Sequence, residues 1–339
     1  MSAGKTATLR SGFEIPTLGY GTWQAAPGEV GAGVYEALKA GYRHIDLAKV
    51  YQNQKEVAQG IKQALHQVQG LKREDIFITS KLWNNSHHPA DVEAALDDTL
   101  AELELDYLDL YLIHFPVSFR RGEGLFPRQP DNEGEVEIDE TVSISQTWLA
   151  MTKLPKAKTR SVGVSNFSIE HLEVITRDTG VVPSCSNGLY TGCDKRHPRL
   201  NQRRLLEYCD KHSIHVTAYS AFGNNSFHVP LVINSPELKT VAGRPSETAA
   251  KEITPAQVVL AWAQLNERSV IPKSVTPSRI RANFQDIELD DAAIEAVDAM
   301  GETPQRYNIP ATYSPRWDIN IFDDGKELDT HHKIILGPL

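Results

Sequence analysis

Four side chains in the first half of the chain, Asp46, Tyr51, Lys81 and His114, are of the types that together reduce a carbonyl group. That reaction needs a hydride and a proton. A tyrosine, with an ordinary pKa of about 10, is a weak acid in the right range to protonate a nascent alkoxide. A nearby lysine cation is expected to lower that value by stabilising phenolate. An aspartate would keep the lysine charged and oriented, and a histidine would position and polarise the carbonyl oxygen. Taken singly, each has a plainer reading: Asp46 as a turn cap, Lys81 as a solvated lysine, His114 as a satisfied histidine. What they share is position, because each falls at or just past the end of a β-like run.

The elements that must position them alternate regularly. Short β-rich runs at 17–22, 43–46, 76–81, 107–113, 161–164, 214–219 and 270–272, with another beginning at 181–183, are separated by amphipathic stretches. Helices are predicted over 29–40, 56–68, 90–103, 143–154, 169–178, 202–212, 255–266 and 277–284, the first with Val30, Val34, Ala37 and Leu38 at helical spacing. About eight strand–helix units in one direction imply parallel strands with helical crossovers. The expectation is one α/β domain over 1–339, a single (β/α)8 TIM barrel at about 9–300 with long loops and an extended tail at 301–339. A doubly wound open sheet would want a glycine-rich G-x-G-x-x-G loop after its first strand, and the chain has none. A barrel gathers the C-terminal ends of its strands at one mouth, which would unite the four residues. Segments 116–140, 222–236 and 302–339 break the rhythm. Loops of such length are usually functional or disordered. The tail aromatics Tyr307, Tyr313, Trp317 and Phe322 either line a pocket or pack on the barrel.

Composition narrows the class. The 339 residues are 40% hydrophobic and 23% charged, ordinary for a globular protein with a large core. A net charge of −9 argues against a general nucleic-acid surface, although a local basic patch can still hold a phosphate. Three cysteines, Cys185, Cys193 and Cys209, are too few for a disulfide scaffold, and their spacing fits no common zinc motif, so no metal is expected. No run approaches the ~18 apolar residues of a membrane span, no apolar leader follows Met1, and the final Gly-Pro-Leu is not a peroxisomal tripeptide. A cytoplasmic, monomeric enzyme acting on a small molecule is the expectation.

The motifs around these residues resemble the aldo-keto reductase family. They are Tyr42-Arg43-His44-Ile45-Asp46 followed by Tyr51, Ile78-Thr79-Ser80-Lys81-Leu82-Trp83, Leu108-Asp109-Leu110-Tyr111-Leu112-Ile113-His114, Gly163-Val164-Ser165-Asn166-Phe167 and Ile271-Pro272-Lys273-Ser274-Val275-Thr276. The likeness runs from about Leu9 to Asn320. Within the family it is similar to yeast and fungal aldehyde or carbonyl reductases, through Gly21-Thr22-Trp23-Gln24-Ala25-Ala26-Pro27-Gly28 and Tyr307-Asn308-Ile309-Pro310.

The resemblance implies reduction of small aldehydes, β-keto esters or sugar-derived aldehydes with NADPH. It makes Tyr51 the acid and Asp46, Lys81 and His114 its partners. It places Ser165 and Asn166 on the nicotinamide carboxamide, Tyr219 under the ring, and Gly21 and Thr22 along the cofactor. It assigns Lys273, Ser274, Val275, Thr276, Arg279 and Asn283 to the adenosine end. Two cations and two hydroxyls beside a predicted helix start suit a 2′-phosphate, favouring NADPH over NADH; the plainer reading is a helix-capping run. Trp23, Trp83, Phe115 and His114 would form the substrate pocket.

One stretch departs from the family. The run Cys185–Arg196, with Gly188 and Gly192, stands before His197-Pro198 where the family has a shorter segment carrying a glutamine for the carboxamide. Asn187 is the nearest replacement. Asn-Gly is a turn dipeptide and glycine weakens a strand, so the run is expected to leave the barrel at the sixth strand position. It is read as a bulged loop or an imperfect gene model. It also keeps open a rival function, a non-catalytic relative that binds NADPH as a sensor or subunit.

Overall fold

Eight parallel strands form one sheet in the computed structural model, which describes residues 5–122, 124–187, 197–200, 202–223, 230–244, 253–302, 309–322, 325, 327 and 329–337. They are β1 (Tyr20–Gly21), β2 (His44–Asp46), β3 (Phe77–Leu82), β4 (Leu108–Ile113), β5 (Thr159–Ser165), β6 (Cys185–Asn187), β7 (His215–Tyr219) and β8 (Ser269–Ile271). Neighbours in sequence are neighbours in the sheet, from β1 to β8. The sheet then closes on itself: Gly19 N donates to Val270 O (2.9 Å), Gly21 N to Pro272 O (2.9 Å) and Val270 N to Thr17 O (2.8 Å). This is a (β/α)8 barrel. Strands β3 and β4 are buried at every position; β4 is accordingly apolar apart from Asp109, whereas β3 also buries Thr79, Ser80 and Lys81.

Helices α1 (Val30–Ala40), α2 (Gln54–Gln67), α3 (Val92–Leu103), α4 (Ile144–Thr152), α5 (Ile169–Thr179), α6 (Arg203–Lys211), α7 (Pro236–Ala242), α8 (Pro255–Ala263), α9 (Pro277–Asn283) and α10 (Asp291–Ala299) make the connections. Their ends carry local signals. Helices α4, α5 and α8 open with capping boxes from Ser143, Ser168 and Thr254, each hydroxyl accepting a first-turn N–H. Helix α1 stops at Gly41, whose φ of 114° a side chain rarely adopts. The core fills the space between barrel and helices, with Trp148 and Trp262 fully buried.

Several expectations shift. Residues 181–183 do not begin a strand; Pro183 has no N–H to donate, and sheet bonding starts with Ser184 N to Val162 O (3.0 Å). The excursion expected from Cys185 onward does not start there. Cys185–Asn187 is strand β6, in parallel register with β5 (Asn187↔Ser165) and with β7 (Asn187↔Thr217). Residues 188–196, with Gly188, Gly192 and Cys193, lie outside the described residues, as does Tyr307 of the tail. The N-terminal hairpin of Thr6–Thr8 and Glu14–Pro16 was not anticipated. It sends Ala7, Leu9 and Ile15 against Phe77, Leu110, Leu112 and Cys185, stoppering the end of the barrel away from Tyr51. Among the described residues, no helix is long and apolar enough to cross a membrane.

Candidate functional site

The last residue of β2, Asp46, faces the penultimate residue of β3, Lys81, inside the barrel mouth. Lys81 Nζ donates to Asp46 Oδ1 at 2.6 Å and to Leu47 O at 2.9 Å, and both side chains are 3% exposed. Burial pushes the Asp46 carboxyl up and the Lys81 ammonium down, and their mutual charge and hydrogen bond oppose both shifts. A pair so dry is strongly destabilised by loss of one partner.

Tyr51 ends a short 3-10 turn, Lys49–Tyr51, which is pinned to α3 by Lys49 ion pairs with Asp98 and with Glu102 (2.9 Å). Its ring lies 5.4 Å from Lys81 Nζ and 5.9 Å from the His114 ring. The expectation that Lys81 would lower the Tyr51 phenol is corrected here. Burial, reinforced by the negative charge of Asp46, holds it well above its ordinary value. The ammonium is turned toward Asp46 and Leu47 instead, so Tyr51 keeps its proton at neutral pH. His114 follows β4 directly. Burial, with the Lys81 charge, drives its imidazole well below the usual range, so it is neutral.

Aromatic rings wall a cavity of about 460 Å³ over these groups. Trp83 meets His114 (5.2 Å), Trp23 meets Tyr51 (6.3 Å), and Phe115 meets Trp317 (4.9 Å). The Trp83 indole N–H is held by Leu125 O at 2.6 Å. The structure thus brings Trp23, Tyr51, Trp83, His114, Phe115 and Tyr219 to one cavity. It also adds Phe126 from the 116–140 segment and Tyr313, Pro315 and Trp317 from the tail. Tyr313 and Trp317 had been singled out as aromatic; nothing in the sequence marked Phe126. Arg316 ties these two segments together. Its guanidinium meets Glu135 at 2.8 Å, Val136 N donates to Arg316 O, and Arg316 N donates to Gly134 O. A second cavity, about 370 Å³, lies at the hairpin end beside Arg43 and Arg160.

The remaining candidates lie along the same rim. Asn166 is buried at φ 64°; its Nδ2 donates to His114 O (2.7 Å) and Ser165 Oγ (3.1 Å), and its Oδ1 accepts from Tyr219 Oη (2.5 Å). Thr22 Oγ1 donates to Asp46 O (2.9 Å), and a Cβ on Gly21 would come 3.0 Å from Ile271 O. Asn187 points inward: Nδ2 reaches Asp46 Oδ2 at 3.4 Å, while Oδ1 is buried without a hydrogen-bond partner among the described residues. After β8, Lys273 Nζ donates to Gln24 O (2.6 Å), and burial lowers its pKa despite nearby Glu29. Ser274 Oγ accepts from Thr276 N, and Val275 lies between them, half-buried. Arg279 is exposed and Asn283 buried on α9, where Arg281 is paired with Glu36 (3.2 Å).

A family model described as Aldo/keto reductase family matches residues 17–302. The chain belongs to the aldo/keto reductase family. Among its relatives is a D/L-glyceraldehyde reductase of Hypocrea jecorina, 61% identical over 336 residues and covering 99% of both chains. An aldo-keto reductase family 1 member A1 of Xenopus tropicalis is 42% identical over 311 residues, covering 89% of this chain and 90% of its own. A solved aldose reductase from Giardia lamblia superposes with a TM-score of 0.80 at 34% identity, covering 95% of this chain and all of that one. As an aldo/keto reductase, the protein is an oxidoreductase of carbonyl compounds. Among the described residues of this aldo/keto reductase, no cluster of His, Cys, Asp or Glu could hold a metal ion.

Proposed function

We propose that the protein reduces small aldehydes to alcohols with NADPH, Tyr51 giving the proton. The observation that carries the reading is the convergence of Tyr51 and His114 on one aromatic cavity, with the buried Lys81–Asp46 pair next to Tyr51, Lys81 Nζ lying 5.4 Å from its ring. Tyr51 holds its proton because burial and Asp46 disfavour phenolate. As an alkoxide forms, Tyr51 donates through Oη, and the Lys81 ammonium, 5.4 Å from its ring, would offset only part of what burial and Asp46 cost the phenolate left behind. Asp46 keeps Lys81 in place. Neutral His114 orients the carbonyl oxygen toward Tyr51. The rings of Trp23, Trp83 and Phe115 exclude water and fit a compact substrate. Aldehydes of the glyceraldehyde type fit the 61% identical relative, and β-keto esters or sugar-derived aldehydes are alternatives of similar size.

The rim residues fit a nicotinamide dinucleotide, which when bound supplies the hydride. Asn166 already uses both amide hydrogens and keeps one acceptor lone pair, so it would accept from the carboxamide NH2. Ser165, which accepts from Asn166, keeps its hydroxyl hydrogen to donate. Tyr219 would face the nicotinamide ring, and Gly21 and Thr22 would line the cofactor. Lys273 and Arg279 form no ion pair with a carboxylate among the described residues, unlike Arg281 beside them, and with Ser274 and Thr276 they match the chemistry of a 2′-phosphate. Val275 and Asn283 would flank the adenosine. We take the whole chain, 1–339, to work as one cytoplasmic, monomeric domain.

A non-catalytic NADPH-binding role loses its footing to the extent that β6 is built through Asn187. The deciding experiment follows loss of NADPH absorbance with a panel of small aldehydes. Wild type should turn over, while Tyr51→Phe should lose reduction and retain NADPH binding. Near-normal turnover in Tyr51→Phe would sink the assignment.

A further inference from the structure

We infer that the hydroxyl of Tyr219 is a positioning group. Through the side-chain amide of Asn166, it anchors the backbone at His114 and so the imidazole beside Tyr51. This rests on the carbonyl-reduction reading and deepens it.

The groups come from three separate strand ends: His114 after β4, Ser165 and Asn166 at the end of β5, and Tyr219 at the end of β7. Strand β6 lies between β5 and β7 and is described as far as Asn187, which pairs with Ser165 and Thr217. The amide of Asn166 links the ends of β4 and β7. Tyr219 Oη donates to Asn166 Oδ1 at 2.5 Å, and Asn166 Nδ2 donates to His114 O at 2.7 Å. Asn166 N donates in turn to Asn187 O at 3.1 Å. The left-handed backbone of Asn166, φ 64°, suits an asparagine better than most residues. Asn166 is 1% exposed, so water is a poor substitute for either partner.

His114 needs such an anchor. Its Nδ1 is buried with no hydrogen-bond partner among the described residues. Ring packing and the backbone therefore set where the imidazole sits. Tyr219 meets the cavity with its ring while its hydroxyl is committed to Asn166, so the two halves of one side chain have separate jobs.

Tyr219→Phe separates them, because it keeps the ring and removes the donor. The expected result is a fall in kcat for aldehyde reduction of about tenfold, the equivalent of one buried hydrogen bond. The Kd for NADPH, read from quenching of tryptophan fluorescence, should stay within about threefold on the same scale. Asn166→Gly tolerates the left-handed backbone, removes the amide and should lower kcat at least as much. The double variant should be no worse than Asn166→Gly alone. Thermal midpoints of the cofactor-free proteins should be non-additive in the same way. Wild-type kcat in Tyr219→Phe, or additive effects in the cycle, would overturn the inference. So would tighter NADPH binding with undiminished kcat, which would make the bond a mere placeholder for the cofactor. The cofactor-free cycle reads the anchor whether or not Tyr51 is the proton donor, so failure of one reading is told apart from failure of the other.

Discussion

Replacing Lys81 by methionine tests whether the dry ion pair is organised as described. The substitution keeps most of the aliphatic stem and removes the charge, leaving Asp46, 3% exposed, with the distant Asn187 amide as its side-chain donor. Breaking a buried pair from one side costs about 3–5 kcal/mol. Most of that loss should depend on pH. Two causes pull Asp46 down in the wild type, the charge of Lys81 and its hydrogen bond, and both vanish in the variant; burial, which raises it, remains. The raised carboxyl then keeps a proton in the folded state that the unfolded chain has released. Stability must fall as pH rises through the window between the ordinary carboxylate range and the folded value, by about 1.4 kcal/mol per pH unit. Above that window the loss is full and constant; below the ordinary range it disappears. Urea unfolding followed by tryptophan fluorescence, at several values from about pH 5 to about pH 8, reads the difference from wild type directly. A loss below about 1 kcal/mol throughout, or one equally large at both ends, would refute the reasoning. Adding Asp46→Asn should recover part of the stability, because the stranded carboxylate is gone.

Removing the charges of Lys273 and Arg279 should weaken NADPH by tenfold or more per residue, from about 1.5–3 kcal/mol per charge-assisted bond, and NADH far less. Equal losses measured by fluorescence titration would make both residues structural. The pH profile of kcat/KM should stay flat from about pH 6 to about pH 9, because Tyr51 is held above, and His114 below, their ordinary values of about 10 and 6.5. A limb near either ordinary value would contradict the burial of that group. Gly163→Ala should destabilise by about 1–3 kcal/mol or more, since a Cβ there would lie 2.3 Å from Cys185 O; an unchanged urea midpoint would mean β5 and β6 separate readily. Replacing residues 188–196 by the shorter family segment with its glutamine should raise both thermal midpoint and NADPH affinity; no change, or a decrease, would make that run an adaptation.

The barrel was legible because each strand and helix carries its own period and its own stops. Strand β4 announces itself by a nearly continuous apolar run, and Gly41 and the three capping boxes mark helix ends. Helices α7 and α10 were not foreseen; α7 starts at Pro236, where the turn-rich segment 222–236 ends. The N-terminal hairpin was not legible either, because its three-residue strands bury only one side chain each fully. Strand β6 was misplaced for a related reason. Its Cys-Ser-Asn sequence has neither branched nor aromatic residues, and two flanking strands impose its extended form. In the site, residue type and order revealed Asp46, Tyr51, Lys81 and His114 as a set. Sequence gave the wrong sign for Tyr51, because the sign depends on which way the Lys81 ammonium points. Phe126 was invisible, as a loop residue acquires its role only when the tail closes beside it.

The joint made by Arg316 bears on how substrate preference can be altered. The proton-handling groups sit on strand ends and on the turn after β2, whereas Phe126, Tyr313 and Trp317 arrive on segments that meet through Arg316, held by Glu135, Gly134 and Val136, and through the rings of Phe119 and Trp317, 4.8 Å apart. Those segments form an exchangeable cassette in two pieces. A chimera whose imported tail lacks an arginine at position 316 would leave Glu135 without its cation, and the backbone bonds of Gly134 and Val136 would survive only if the new tail kept the same path. One that imports 116–140 and 309–322 together carries the joint with it, and can change the shape of the pocket while leaving the Lys81–Asp46 pair untouched.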